Sequence, residues 1–153
     1  MKFYKLNNLP ENIKEEDIIL PKRSTAYSAG YDFFAPEEIV LPANMKKPII
    51  VNSYVKAKLD EDKYLAVHIR SSYGIKHQIR LANITGIIDS DYYNNESNEG
   101  HIMFALVNEG DNDVVIPKGE HFAQGIITKY FITENDNTLN SRTGGIGSTT
   151  KIK

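Results

Sequence analysis

The chain has 153 residues, 41% of them hydrophobic and 25% charged, which suits one domain with a single core and excludes a disordered chain. A formal charge of -2, from 18 basic and 20 acidic residues, gives no basis for a nucleic-acid-coating or membrane-surface protein, so neither nucleic acid nor membrane is an expected partner. With no cysteine there is no disulfide, thiolate metal site or cysteine nucleophile.

In chain order, the stretch from Met1 to Asn7 lacks the apolar run of a secretory signal, and no later stretch is long and apolar enough to span a bilayer, so the expected location is cytoplasmic. Glu11 to Ile18, behind Pro10, suits a short helical turn. From Ile49 to Leu59, apolar Ile49, Val51, Val55, Ala57 and Leu59 alternate with Asn52, Tyr54, Lys56 and Lys58. Leu65, Val67 and Ile69 then alternate with Ala66, His68 and Arg70. Period two over such lengths predicts half-buried strands, because successive side chains face opposite ways. A second helical turn is expected over Tyr73 to Gln78. Ile102 to Val107 is apolar on both faces, as in a strand inside a packed structure. Pro117-Lys118-Gly119 reads as a turn before the β-branched and aromatic run from Phe122 to Thr133. Short strands punctuated by turns predict an all-β fold, a jelly-roll-like β-barrel over residues 1–134. Residues 135–153 are polar and glycine-patterned, and are expected to form a mobile C-terminal arm.

Taken one at a time, the chemical motifs stay open to bland readings. Arg70-Ser71-Ser72 with Gly74 offers a guanidinium fork, hydroxyls and backbone N–H groups to phosphate, or simply a solvated strand end. Asp89 follows an apolar strand and suits activation of water, but Asp89-Ser90-Asp91 is also ordinary turn chemistry. Asp32 is a loop acid beside Gly30 and Tyr31. The glycine-rich tail lacks P-loop spacing, and the four histidines lack His-Glu-x-x-His spacing and read as structural or surface residues. There is no Gly-x-Ser-x-Gly elbow.

In order, however, these fragments resemble the five motifs of the trimeric dUTPase family. They are Ser28-Ala29-Gly30-Tyr31-Asp32-Phe33, Arg70-Ser71-Ser72-Tyr73-Gly74, the run from Asn83 to Tyr92, Gly119-Glu120-His121-Phe122-Ala123-Gln124, and the run from Arg142 to Thr149. The resemblance implies a threefold homotrimer with shared active sites that hydrolyses dUTP to dUMP and pyrophosphate with Mg2+, keeping uracil out of DNA and supplying dUMP. It gives Asp89 the part of a base that activates water for attack at the α-phosphorus, and Arg142 the part of a catalytic cation brought by the arm. Arg70, Ser71, Ser72 and Gln124 correspond to phosphate-binding positions, and Asp32 to one that holds the ion through water. Asn83, Gly86, Ile88 and Met103 correspond to the uracil-reading hairpin, and Tyr92 to the tyrosine beneath the deoxyribose. Gly145, Ile146, Gly147, Ser148 and Thr149 correspond to the part of the arm that closes over substrate.

Three positions depart from the family pattern. Ile146 stands where a phenylalanine usually stacks on uracil, a contact worth about 1–3 kcal/mol per base; Tyr93 is a candidate replacement. The stretch from Tyr93 to Glu99 lengthens the hairpin, either reshaping the pocket mouth or serving as a tolerated surface insertion. His121 replaces a common arginine. Two further readings are a relative of dCTP deaminase, and a nucleotide-gated regulator that docks a protein partner through the 93–99 loop.

Overall fold

A computed structural model describes residues 1–139 of the chain. In order, its strands are β1 (Lys2–Lys5), β2 (Gly30–Phe34), β3 (Ile39–Leu41), β4 (Ile49–Asn52), β5 (Val55–Lys58), β6 (Lys63–Ile69), β7 (Ile79–Leu81), β8 (Gly86–Ile88), β9 (Met103–Asn108), β10 (Val114–Ile116) and β11 (His121–Lys129). Helical structure among the described residues is limited to α1 (Ser71–His77) and 3-10 turns at Glu15–Asp17 and Ser90–Tyr92. The fold is all-β, as the patterning predicts. None of these helices is long and apolar enough to cross a membrane.

All strand pairs are antiparallel, in four sheets: β2-β11-β6-β8, β4-β9-β7, β1-β5 and β3-β10. The last strand, β11, is inserted between β2 and β6. A tight turn delivers it, closed by the Glu120 N–H donating to the Pro117 carbonyl at 3.1 Å. A register shift follows between His121 and Ala123. The core forms where the inner faces meet. Phe33 of β2, Phe104 of β9 and Phe122 of β11 are fully buried, and Phe104 meets the other two edge-to-face at centroid distances of 5.2 and 5.1 Å. Each such pair adds about 0.5–1.5 kcal/mol beyond the burial of its area.

The expectation of one alternating strand from Ile49 to Leu59 is corrected. The chain breaks at Ser53-Tyr54, where Tyr54 adopts a left-handed φ of 55°. Thus β4 pairs with β9, and β5 pairs with β1 in another sheet. The break is held by long-range bonds: the Ser53 hydroxyl donates to the Ile102 carbonyl at 2.6 Å, and the Tyr54 N–H donates to His101 Nε2 at 3.0 Å. Tyr54 and Lys56, assigned by the alternation to the outer face, are both buried.

Lys56 is the more instructive exception. Its side chain is only 4% exposed, and its Nζ reaches Glu99 Oε2 at 3.0 Å and Asn94 Oδ1 at 2.7 Å. The Glu99 carboxylate also accepts the backbone N–H groups of Asn7 and Asn8 at 3.0 Å each. These donors, led by the Asn7 N–H, hold the Glu99 carboxyl down at about 2. The loop from Tyr93 to Glu99 therefore clamps the residues after β1 onto the body of the fold.

Candidate active site

The hairpin between β7 and β8 and the start of β9 enclose a cavity of about 390 Å³. Asn83, Gly86, Ile88, Tyr92 and Met103, all expected to contact the nucleoside, line it together. Local backbone builds its rim. Ile84 N–H donates to the Leu81 carbonyl at 3.0 Å and Thr85 N–H to the Asn83 carbonyl at 2.6 Å, while Ile84 itself is forced to a φ of 64°. A β-branched residue in that region is an outlier, and such strain is characteristic of binding sites. The lining is mostly apolar with a few convergent polar groups, as in small-molecule sites generally.

His101 also lines this cavity, although the spacing of the histidines points only to structural or surface roles. It is 9% exposed and stacks on Tyr54 at 5.4 Å, and its Nε2 accepts the Tyr54 N–H. Burial pushes its pKa down to about 4. Between about pH 6.5 and 4 the unfolded chain takes up a proton here that the folded chain refuses, so folding stability falls with pH across that window by up to about 3 kcal/mol. We expect urea midpoints measured from pH 7 to 4.5 to fall with this slope, and the slope to shrink in His101→Gln; an unchanged slope would reject the assignment.

Asp89 immediately follows β8 and opens the 3-10 turn, with its carbonyl accepting the Tyr92 N–H at 3.2 Å. It lies in a cleft with Tyr64, Ser90 and Asp91, separated from the cavity lined by Asn83 and Met103 by Ile87, which lines both.

The anion-binding candidates gather elsewhere. Asp32 of β2 is 6% exposed and is opposite Gln124 in the β2–β11 register. The Ser24 hydroxyl donates to its Oδ2, Arg70 Nε stands 3.4 Å from its Oδ1, and His121 Nδ1 is 3.7 Å from Oδ2. Arg70 Nη1 also donates to the His121 carbonyl at 3.3 Å. Arg70 caps α1, whose exposed first turn carries Ser71 and Ser72. The absence of a side chain on Gly30 makes room for Gln124: a Cβ there would stand 2.5 Å from Gln124 Oε1. Proximity thus joins the first, second and fourth motifs, which the sequence could suggest only by their order.

The same register separates this cluster from Asp89. In the β6–β8 pairing Ile88 faces Leu65, so Asp89 lies at the start of β6. Arg70 follows the far end of β6, about 20 Å away at the rise of an extended strand. One subunit therefore cannot present both to the same few phosphate atoms.

Other expectations are refined or left outside this geometry. Arg142, Gly145, Ile146, Gly147, Ser148 and Thr149 lie outside the described residues. Tyr93, suggested as a substitute for the missing aromatic, packs on Tyr4 at 5.8 Å and beneath Lys56 Nζ at 5.5 Å, in a different cleft. For Mg2+, no group of three or more His, Asp or Glu among the described residues could hold a metal. The donor set does not fit a resident cage; it fits an ion carried by substrate phosphates and water, for which Mg2+ is suited. The Asp32 carboxylate, already met by Ser24, Arg70 and His121, is compatible with contact through water.

Comparison with known proteins places this geometry. The family model described as dUTPase matches residues 16–150. A deoxyuridine 5'-triphosphate nucleotidohydrolase of Lactococcus lactis is 40% identical over 139 residues, covering 89% of this chain and 91% of its own. The crystal structure of dUTPase from Streptococcus mutans is 35% identical, with a TM-score of 0.74, covering 88% of this chain and 100% of the other. A Staphylococcus bacteriophage 80alpha dUTPase, whose description concerns control of the transfer of virulence genes, shares the fold at 18% identity with a TM-score of 0.69, covering 92% of this chain and 97% of its own.

Proposed function

The chain belongs to the dUTPase family and is a dUTP diphosphatase, and from that premise we propose how its residues divide the reaction. The observation that carries the proposal is the single cavity lined by Asn83, Gly86, Ile88, Tyr92 and Met103, with Asp89 just beyond its wall. Backbone groups of the Asn83 hairpin and β9 pair with the uracil edge. Cytosine would leave buried donors facing donors, which is a strong form of rejection. Tyr92 forms the floor beneath the deoxyribose and excludes a 2′-hydroxyl.

Asp89 orients a water and accepts its proton as the oxygen attacks the α-phosphorus. The bond to the α–β bridging oxygen breaks, and pyrophosphate leaves. Arg70, Ser71, Ser72 and Gln124 bind the phosphates, with Asp32 and Ser24 fixing the direction of the Arg70 guanidinium. Mg2+, when bound to the triphosphate, offsets its charge. Arg142 and the segment from Gly145 to Thr149 of the arm close the site and exclude bulk water.

The separation of Asp89 from Arg70 along β6 supports a homotrimer in which one subunit supplies the nucleoside cavity and Asp89 while another supplies the phosphate cluster. Exposed apolar side chains in the middle of strands favour association: Val40 and Val115 face each other across β3 and β10 at 49% and 51% exposure, and Ile50 and Ile87 are similarly open. A jelly-roll subunit and a cytoplasmic location complete the reading.

Purified protein would be incubated with dUTP, dCTP, dTTP or UTP and Mg2+, following pyrophosphate and ammonia. Pyrophosphate from dUTP alone is expected; ammonia from dCTP would move the protein to the deaminase reading. Asp89→Asn and Arg70→Ala chains, each inactive alone, would then be unfolded, mixed in equal amounts and refolded. If sites are shared, about one quarter regain both intact groups by random assembly. No recovery would reject sharing. The docking role of the 93–99 loop is weakened by its internal use, since Glu99 and Asn94 hold Lys56.

A further inference from the structure

We propose that Asn98 is a positioning residue for sugar selectivity, acting by holding the hydroxyl of Tyr92; the proposal rests on the reading of Tyr92 as the floor beneath the deoxyribose. A phenol has one proton to give and room to accept, and both capacities are engaged here. The Tyr92 hydroxyl donates to the His101 carbonyl at 3.0 Å and accepts from Asn98 Nδ2 at 2.8 Å. The ring is thus held at its far end from two sides, and its hydroxyl is committed within the protein. What Tyr92 offers a nucleotide is a wall at a fixed height.

The direction of the Asn98 amide is set by its other contacts. Its Oδ1 accepts from Asn95 Nδ2 at 2.7 Å and from the Gly100 N–H at 3.1 Å, which leaves Nδ2 to face Tyr92. Asn95 in turn donates to the Tyr92 carbonyl at 2.8 Å, and its own Oδ1 gathers Ser97 and the Asn98 N–H. Gly100 lets the chain close this tightly: its φ is 80°, and a Cβ would stand 2.6 Å from the Tyr92 carbonyl oxygen. The lengthened hairpin is therefore folded back on the residue that precedes it, fixing Tyr92 by backbone and by side chain.

A 2′-hydroxyl would need the ring to retreat. Freed from Asn98, the ring loses one of the bonds that fix its height, and UTP should gain more than dUTP. The test measures kcat/KM for dUTP and UTP in the full chain and in Asn98→Ala, Asn98→Asp, Tyr92→Phe and the Asn98→Ala/Tyr92→Phe double variant. Asn98→Asp is nearly isosteric and keeps the acceptor for Asn95 and Gly100, but the phenol, with one proton, can meet its second oxygen only by giving up the bond to the His101 carbonyl. We expect the dUTP/UTP ratio to fall about tenfold in both Asn98 variants, the scale of one lost buried hydrogen bond. Because the effect passes through the hydroxyl, the double variant should discriminate no worse than Tyr92→Phe alone.

A purely structural role would lower both substrates together and leave the ratio unchanged, which would overturn the proposal, as would a full further loss in the double variant. Tyr92→Ala separates the two levels of inference. If it leaves the ratio intact, the reading of Tyr92 itself fails and the proposal falls with it. If it relaxes the ratio while the Asn98 variants do not, only the proposal fails.

Discussion

Asp89→Asn is expected to lower kcat for dUTP by about 10²–10⁴-fold, the typical contribution of a well-placed general base. The substitution preserves size and turn geometry, including the Asp89 carbonyl that accepts the Tyr92 N–H, so the loss should appear in the chemical step rather than in folding. Pyrophosphate release under saturating dUTP gives kcat directly. A calorimetric titration of dUTP into the variant checks that binding, assigned to the cavity on the other side of Ile87, is retained. Retention of more than a tenth of the turnover would remove Asp89 from the role of base. The neighbouring Asp91 is the internal control, because it shares the cleft and the charge but sits within the turn instead of opening it.

At neutral pH a large expected effect on stability comes from Glu99→Ala. Breaking a fully buried ion pair by removing one partner costs about 3–5 kcal/mol, because the other charge is stranded. Glu99 retains 22% exposure, so we expect somewhat less, about 2–3 kcal/mol, with Asn94 and the face of Tyr93 left to meet Lys56 Nζ among the described residues. The variant also releases the N–H groups of Asn7 and Asn8. A urea melt measures the loss, and the double variant Lys56→Met/Glu99→Leu should recover most of it by replacing a charge pair with apolar packing. A midpoint unchanged in Glu99→Ala would show that the pair contributes nothing. The sign with pH follows from the carboxyl being held at about 2: the stabilisation is complete above the ordinary glutamate range and is lost as pH falls through the folded value.

Much of this was legible in the residues. Periodicity located β6, an apolar run β9 and a β-branched and aromatic run β11, and the ordered motifs picked out residues that line one cavity between β7, β8 and β9. Periodicity misled at Ile49–Leu59 because it reports which face a side chain takes relative to its neighbours, and the reference face changes when the chain crosses between sheets at Ser53-Tyr54. Lys56 looked solvated for the same reason; its partner lies 43 residues later, beyond any local pattern. His101 carried no signal at all, since its burial depends on Tyr54 and its neutrality on that burial. The hairpin loop was open to two readings because a run of Asn, Ser and Glu has the composition of a surface insertion. Only the bonds from Asn95, Asn98 and Glu99 back to Tyr92 and Lys56 show it folded inward.

The placement of β11 has a consequence for biogenesis. Its partners β2 and β6 are synthesised well before it, yet they do not pair with each other; each waits for the strand that lies between them. Until residues 121–129 have left the ribosome, both strands expose unpaired backbone and the apolar faces that Phe122 and Ala123 later cover. Contacts of such long sequence separation fold slowly, and the nascent chain passes through its most aggregation-prone state nearly complete. A stop codon shortly before residue 121 would therefore remove the centre of the largest sheet rather than trim its edge, and the fragment would be work for chaperones and proteases.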